Sequence, residues 1–346
     1  MKKAEVTVEV ATKNRYYTTL PMCLTSIANQ TVLPKKILLF DDGEQKDLRE
    51  DATYKNIFAL LQNKGIEWQV CFGERKGQVL CHQKSIEIAQ TEYIWRIDDD
   101  DLVESECLEY LLESIREPNV GAVGGLVLTP GNVQAETGFA SSRIEDIYTK
   151  PNLQWFVFDG VREVDHLHNT FLFRKSAAKH GYCMNLSPVG HREETIFTYE
   201  MRRAGYKILV DSRAKSWHMR DPKGGIRSYE STFLWEHDER IFAQKMIEWQ
   251  VQKSKTKLIV LNCGLGDHYA FKMMLDELLQ KYADHEIIIA SCYREVFIDY
   301  PQIKQISISE AAIMEPDYDN KFNIYKFMID KNWKNKLVDA FRAMYL

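Results

Sequence analysis

The sequence of 346 residues lacks the features that mark several special classes of protein. No apolar run approaches the ~18 residues that a transmembrane helix needs. The seven cysteines are scattered and form no C-x-x-C pair, which argues against a zinc site or a disulfide framework. The formal net charge of −5 makes a nucleic-acid partner a poor candidate, because such partners are held by basic surfaces. With no apolar secretory signal after Met1, we expect a cytoplasmic protein that is at most peripheral to the inner face of a membrane.

The first half of the chain alternates short apolar runs with amphipathic stretches of helical length. Predicted strands at 6–10, 36–40, 68–72 and 93–97 are separated by predicted helices over about 17–30, 48–63 and 79–89. This alternation indicates βαβ units and a mostly parallel, buried sheet in an α/β fold. Polar clusters at 12–15, 41–43 and 98–101 follow these strands directly. Because the carboxyl ends of parallel strands lie along one edge, we expect these clusters to meet.

The pattern changes after residue 120, and a second βαβ unit begins near the C-terminal end. A break at 221–225 (Asp-Pro-Lys-Gly-Gly) is followed by a helical stretch rich in aromatic residues, a Lys-rich linker at 253–257 and an apolar run at 258–261. At ~100–200 residues per domain the length allows about two domains. We predict a first domain over 1–222, a helical connector over 223–256 and a smaller, partial Rossmann-like α/β domain over 257–346.

Four consecutive aspartates, Asp98 to Asp101, follow an apolar strand and are the most informative feature. Along an extended chain alternate side chains share a face, so Asp98 and Asp100 are predicted to point the same way. Adjacent carboxylates repel one another unless a cation or a proton neutralises them. Mg²⁺ or Mn²⁺ would suit these oxygens and could also balance the charge of a departing diphosphate. The alternative is helix capping, which accounts for one or two of the four.

The order of the motifs resembles the family 2 glycosyltransferases of the GT-A fold. That family reads N-R, then L-x-S-I-x-x-Q, then a strand ending in D-D-G, then a D-x-D metal motif. The corresponding segments here are 12–15 (Thr-Lys-Asn-Arg), 23–30, 37–43 and 93–101. The resemblance covers about residues 5–220. It implies an inverting transferase that uses Mn²⁺ or Mg²⁺ and a nucleotide-diphosphate sugar donor, first of all a UDP-sugar. The implied acceptor is a hydroxyl of a glycan or a lipid-linked glycan.

The resemblance also implies which residues bind the donor and the metal. Asp41 or Asp42 would accept hydrogen bonds from an imide N–H or from ribose hydroxyls, unless they only form a turn with Gly43. The implied donor-nucleotide residues are Thr12, Asp41, Asp42, Arg75, Lys76 and Asp99, although Arg75 and Lys76 fit a solvated surface turn equally well. The implied metal ligands are Asp98, Asp100 and His218, and an imidazole ligand favours Mn²⁺ over Mg²⁺.

The implied general base is Glu194, which stands where the family has the second acid of an E-D motif. A glutamate is one methylene longer than the usual aspartate, which changes its reach to the acceptor hydroxyl by ~1 Å or more. The alternative is that Glu193 and Glu194 only stabilise a helix N-terminus electrostatically. Glu193, Asp101 and Asp165 are the implied sugar or acceptor contacts.

Residues 257–267 resemble the opening of the ADP-heptose type of transferase, which has a GT-B fold. The G-x-G in this segment is a weak signal, and a structural α/β appendage is the alternative. Two other functions stay open for the whole chain. One is a non-catalytic module that binds nucleotide sugars. The other is a sugar nucleotidyltransferase, which would need a glycine-rich phosphate loop after the first strand, where residues 12–15 contain no glycine.

Overall fold

The computed structural model describes residues 2–128, 130, 144–147, 159–225, 232–251, 256–314 and 323–346. The chain divides into two compact units, one formed by residues 1–144 and 155–251 and the other by 145–154 and 252–346. The domain boundaries predicted at 222 and 256 stay a prediction. Within the described ranges no helix is both long and apolar enough to cross a membrane.

The first unit is built on one large sheet flanked by helices. Its strands are β1 (Lys2–Thr12), β2 (Val32–Asp41), β3 (Glu67–Phe72), β4 (Tyr93–Asp98), β5 (Asp101–Val103), β6 (Val120–Leu128), β7 (Val161–Val164), β8 (Phe171–Arg174) and β9 (Lys207–His218). Its helices are α1 (Leu20–Ala28), α2 (Ala52–Asn63), α3 (Gln78–Ile88), α4 (Cys107–Ser114), α5 (Glu193–Arg203) and α6 (Thr232–Glu248).

The described strands of this unit form a nine-stranded sheet in the order β3-β2-β1-β4-β8-β6-β9-β5, and β7 also pairs with β9. Strands β3, β2, β1 and β4 are parallel to one another, and β8 pairs antiparallel with both β4 and β6. Strand β9 then continues parallel to β6. The sheet is therefore mostly parallel, which confirms the predicted α/β fold class.

Burial on both faces explains why the central strands read as almost continuous apolar runs. In β4, Trp95 and Ile97 pack into one apolar cluster together with the side chains of α1, α2 and α4. Ile94 points the other way and joins a second cluster that contains Phe173 and Phe197. Alternate residues of a strand face opposite sides, so one strand contributes to two cores.

The second unit contains a smaller parallel sheet with its own core. Strands β10 (Thr256–Leu261), β11 (Glu286–Ser291) and β12 (Lys304–Ile306) pair in that order. The accompanying helices are α7 (Leu265–Lys272), α8 (Leu275–Lys281), α9 (Ile308–Met314), α10 (Ile324–Asp330) and α11 (Leu337–Tyr345). Buried residues of these elements, Phe271 and Phe341 among them, form an apolar cluster of their own. The resemblance of this region to a GT-B transferase stays a prediction.

Candidate active site

The carboxyl ends of β1, β2 and β4 bring the three polar clusters together. Thr12 at the end of β1 pairs with Asp41 of β2, and Ala11 pairs with Asp98 of β4. A cavity of about 310 Å³ opens at this edge of the sheet. It is lined by Ala11, Thr12, Lys13, Arg15, Asp42, Gln78, Asp98, Asp99, Asp100, His218, Arg220 and Gly225.

The four aspartates do not form one extended strand. Strand β4 ends at Asp98, a turn covers Asp99 and Asp100, and β5 begins at Asp101. The turn breaks the two-residue alternation that places Asp98 and Asp100 on one face in an extended chain. Each carboxylate therefore has different neighbours.

Asp99 is held by two side chains of the first motif. Its Oδ2 accepts a hydrogen bond of 2.6 Å from the Thr12 hydroxyl, and its Oδ1 lies 2.5 Å from Nη1 of Arg15. The same Arg15 nitrogen lies 3.1 Å from Oδ1 of Asp100. Burial raises the pKa of Asp99 to about 6 even though the Arg15 charge opposes this. Arg15 had no predicted role, although its place in the N-R motif was a signal for one.

Asp100, Asp101 and His218 form a cluster in which one potential ligand atom from each lies within 4.8 Å of the others. Asp101 pairs with His218 across β5 and β9, and His218 Nε2 lies 3.4 Å from Oδ2 of Asp100. The Thr170 hydroxyl donates a hydrogen bond to Oδ2 of Asp101. The other carboxylate oxygen, Oδ1, is buried and has no hydrogen-bond partner among the described residues. Two carboxylates and an imidazole with an unused oxygen suit a divalent cation such as Mn²⁺.

Asp98, one of the three predicted ligands, lies outside this cluster but lines the same cavity. Its Oδ1 lies 3.1 Å from Nη2 of Arg96, and its side chain is the most exposed of the four aspartates at 25%. Asp101, for which a sugar or acceptor contact was predicted, stands in the cluster instead. The predicted ligand set of Asp98, Asp100 and His218 stays a prediction.

The two aspartates at the end of β2, Asp41 and Asp42, differ in their contacts, and only Asp42 lines a cavity. Asp41 is fully buried, and its Oδ1 accepts hydrogen bonds from the Tyr16 hydroxyl at 2.8 Å and from the Gly43 amide at 2.9 Å. Burial raises the pKa of Asp41. The carboxylate of Asp42 instead accepts the backbone amides of Arg75 at 2.7 Å and Gly77 at 2.8 Å. Asp42 therefore ties the loop between β3 and α3 to the cavity that it lines.

A second cavity of about 400 Å³ shares Lys13 and Asp42 with the first. Its remaining lining residues are Asn14, Gly43, Glu44, Arg75, Gly77 and Pro188. Of the predicted pair Arg75 and Lys76, only Arg75 lines it. Lys76 is exposed and lies 2.9 Å from the Glu74 carboxylate.

Glu193 and Glu194 begin α5 and face different surroundings. Glu194 keeps 16% of its side chain exposed, and its Oε1 lies 3.6 Å from Nη2 of Arg96. Although burial opposes it, the charge of Arg96 lowers the pKa of Glu194, so this carboxylate is ionised at neutral pH. Glu193 has no exposed side-chain surface, and its Oε1 lies 2.7 Å from the same Arg96 nitrogen. Burial raises the pKa of Glu193 well above its usual range.

Asp165 lines neither of these two cavities. Its Oδ1 lies 2.6 Å from Nε of Arg202, and its Oδ2 accepts the Ile144 amide at 2.6 Å. These contacts anchor the chain after β7. The structure thus brings most of the predicted donor and metal residues to one edge of the sheet. The predicted site residues that line neither cavity are Asp41, Lys76, Asp101, Asp165, Glu193 and Glu194.

Comparison of the chain with solved structures identifies proteins that share its fold. The crystal structure of GalNAc-T7 with UDP, GalNAc and Mn²⁺ is similar with a TM-score of 0.52 and 14% identity, over 92% of this chain and 58% of that one. The crystal structure of TarS from S. aureus gives a TM-score of 0.49 and 14% identity, over 99% of this chain and 50% of that one. The chain thus spans about half the length of these solved proteins. At such identity the GalNAc-T7 match shows a shared fold alone, which agrees with the predicted GT-A type.

Sequence comparison gives the family. No curated protein matches the chain significantly. The profile described as Glycosyl transferase family 2 matches residues 7–181, which is more than half of the chain. This match confirms the resemblance seen in the motifs of the first domain. The chain belongs to glycosyl transferase family 2.

Proposed function

We propose that the protein is a metal-dependent, inverting glycosyltransferase that moves a sugar from a nucleotide-diphosphate donor to a hydroxyl of a glycan or lipid-linked glycan. The observation that carries the proposal is the 310 Å³ cavity, in which acidic and basic side chains of the family motifs stand together. Family membership supports an enzyme of this class. UDP is the first donor nucleotide to test, because the similar GalNAc-T7 structure contains UDP and Mn²⁺.

The two neighbouring cavities fit the two ends of such a donor. Cavities of about 310 and 400 Å³ lie within the range of about 300–1,000 Å³ that is typical of small-molecule sites. Lys13, Arg15 and Arg220 line the first cavity, and cationic side chains of this kind bind diphosphate oxygens. Asp42 and Arg75 line the second, where they offer a backbone-anchored carboxylate and a guanidinium to a nucleoside.

Asp100, Asp101 and His218 are the residues that would hold the cation, with Asp98 as a further candidate. A divalent cation bound there would neutralise the negative charge that develops on the departing diphosphate. Arg15 contributes to the same site, because its positive charge balances the charges of Asp99 and Asp100. This balance reduces the repulsion that these two carboxylates would exert on an anionic ligand.

Glu194 is the proton acceptor of the proposed reaction. As an ionised carboxylate at the first turn of α5, it can take the proton from an acceptor hydroxyl while that oxygen forms a bond to the anomeric carbon. The bond from the anomeric carbon to the diphosphate oxygen breaks on the opposite face, and the electron pair leaves with the nucleotide. One displacement of this kind inverts the configuration at the anomeric carbon.

The test combines a donor panel with one substitution. UDP-, GDP- and dTDP-sugars are screened with Mn²⁺ by thermal shift, and release of the nucleoside diphosphate is measured for the donor that binds. Glu194→Gln should lower turnover by about 10²–10⁴-fold, the contribution of a general base, while Mn²⁺-dependent nucleotide binding persists. Glu87→Gln, an exposed change on α3, is the control.

Three results would contradict the proposal in different ways. If no nucleotide raises the melting temperature with Mn²⁺, the donor assignment is wrong. If Glu194→Gln retains full turnover, the base assignment is wrong. Binding of a nucleotide sugar without transfer or hydrolysis under any condition would favour a non-catalytic binding module.

A further inference from the structure

Arg96 is a fully buried cation at the centre of the large sheet. It lies in β4, two residues before Asp98, and has 0% of its surface exposed. A buried charge is costly unless it is paired. Here one nitrogen, Nη2, lies 2.7 Å from Glu193, 3.1 Å from Asp98 and 3.6 Å from Glu194. A single guanidinium nitrogen therefore joins the end of β4 to the first turn of α5.

The contacts of the other guanidinium nitrogens are few. Nε and Nη1 of Arg96 have no hydrogen-bond partner among the described residues. The Arg96 guanidinium also lies over the Phe171 ring, 5.5 Å from its centroid. If its only role were structural pairing, we would expect its donors to be shared among several acceptors. Instead the ion pairs are concentrated on one nitrogen, Nη2, which lies near Glu193, Glu194 and Asp98.

A second set of side chains contacts Glu193 and thereby restricts the position of Arg96. The Glu193 Oε1 atom is also 3.3 Å from Gln78 Nε2 and 3.5 Å from His82 Nε2. The other ring nitrogen of His82 lies 2.8 Å from the buried Glu9 carboxylate of β1. This chain of contacts leaves the position of the guanidinium little freedom, since each of its members is buried or, like Gln78, partly buried.

We propose that Arg96 is a positioning residue that fixes the Glu194 carboxylate relative to Asp98. It thereby sets the distance between the proton acceptor and the aspartates that line the first cavity. The inference rests on the proposed function, because it assigns Arg96 a role through Glu194. Nη2 donates a hydrogen bond to Asp98 and forms an ion pair with Glu193 at a shorter distance. Glu194, at 3.6 Å, is then held by charge and by the shared geometry of the strand and the helix.

Arg96→Lys tests the role while it keeps a positive charge in the buried cluster. A lysine ammonium is a point charge without the planar fork of arginine, so it cannot hold the same three carboxylates in the same places. Because a misplacement of about 1 Å can lower a rate by about 10²-fold, we expect kcat to fall by about 10–100-fold. The KM of the donor should change less than kcat, since Arg96 lines neither cavity and contacts the first one through Asp98. Arg174→Lys on β8 is the matched control, because Arg174 donates to the Ile115 carbonyl at 2.9 Å, away from the candidate base.

A double substitution separates this inference from the proposed function. In Arg96→Lys/Glu194→Gln, the Arg96 change should lower the residual rate no further, because the group that it positions has lost its proton-accepting role. Full turnover of Glu194→Gln alone would contradict the proposed function. Loss of turnover in Glu194→Gln, combined with a wild-type kcat for Arg96→Lys or with additive losses in the double variant, would overturn only the positioning role.

Discussion

Four neighbouring residues of one chemical type acquire four different environments at the site. Asp98 faces Arg96, Asp99 is paired with Thr12 and Arg15, Asp100 lies beside His218, and Asp101 accepts from Thr170. Burial raises the pKa of Asp101 to about 7, and the charge of Asp98 adds to this effect. The pKa of Asp100 is lowered, because hydrogen bonding and charge from His218 outweigh burial. The identity of a residue thus decides less about its charge state than its partners do.

The raised pKa of Asp101 predicts how Mn²⁺ binding depends on pH. In the metal-free protein this carboxyl contributes most to stability below its unfolded pKa, and that contribution is lost as the pH rises through about 7. A cation binds only the ionised form of Asp101, so the stabilisation that the cation provides should increase as the pH rises. We expect the increase in melting temperature caused by Mn²⁺ to be small at pH 6 and to grow up to pH 8. An equal increase at both pH values would contradict the ligand role of Asp101.

Single substitutions distinguish the two possible carboxylate ligand sets. If the cation is held by Asp100, Asp101 and His218, Asp101→Asn should weaken Mn²⁺ binding by at least the 10–100-fold typical of changes that only support a ligand. Asp98→Asn should then have the smaller effect. Isothermal titration with Mn²⁺ gives both affinities, and Asp47→Asn, which removes an exposed pair with Arg49, is the control. The reverse order of effects would favour the ligand set predicted from the sequence.

Among the secondary-structure elements, local pattern predicted those that contain an apolar run or an amphipathic repeat of sufficient length. The apolar runs of β1, β2 and β4 were visible because these strands are buried on both faces. Strand β3 lies at the edge of the sheet and contains no buried residue. Strand β9 runs from Lys207 to His218, whereas the apolar signal stopped at residue 210. Its second half is held by pairing with β5 and β6, which lie at least 89 residues away in the sequence. Such long-range pairing leaves no periodic signal in the local sequence.

The loop between β3 and α3 is an element whose geometry depends on one glycine. Gly77 has φ +94°, and a Cβ there would lie 2.4 Å from Cα of Pro188. Its amide also donates to Asp42, which lines both cavities. Gly77→Ala should therefore lower the free energy of unfolding by more than the ~1 kcal/mol typical of a left-handed non-glycine residue, because a backbone clash is added. Nucleotide affinity should fall as well.

Gly266→Ala is the matched control for this prediction. A Cβ at Gly266 meets no atom within 4 Å, and the residue lies in α7. Replacing glycine at such a position stabilises by about 0.4–1 kcal/mol. Urea denaturation of the two variants measures both changes in the free energy of unfolding. Equal stability of the two variants would mean that the loop relaxes around the new methyl group.

For the whole molecule, the sequence predicted the class of fold and the edge where the site forms, but not the charge network within it. The motifs placed Thr12, Asp42 and the aspartates on one edge, because strand ends are local features. No role was predicted for Arg96, which interrupts the apolar run at 93–97. Its function in the network became visible only when α5, about 100 residues later in the chain, packed against β4. Buried charges depend on partners from distant segments, and these are specified by tertiary structure.

The division into two compact units predicts how ligands affect unfolding of the full chain. Every residue of the proposed site belongs to the unit formed by 1–144 and 155–251, and the other unit has its own buried cluster. A ligand that binds only the folded form stabilises the unit that contains its site, by about 2.7 kcal/mol at 100 times its dissociation constant. In differential scanning calorimetry we expect Mn²⁺ with UDP to raise one unfolding transition and to leave a second unchanged. The Glu194→Gln variant should show the same shift, because it keeps the binding residues. If both transitions rise together, the two units unfold as one cooperative system, and the C-terminal unit contributes to the stability of the site.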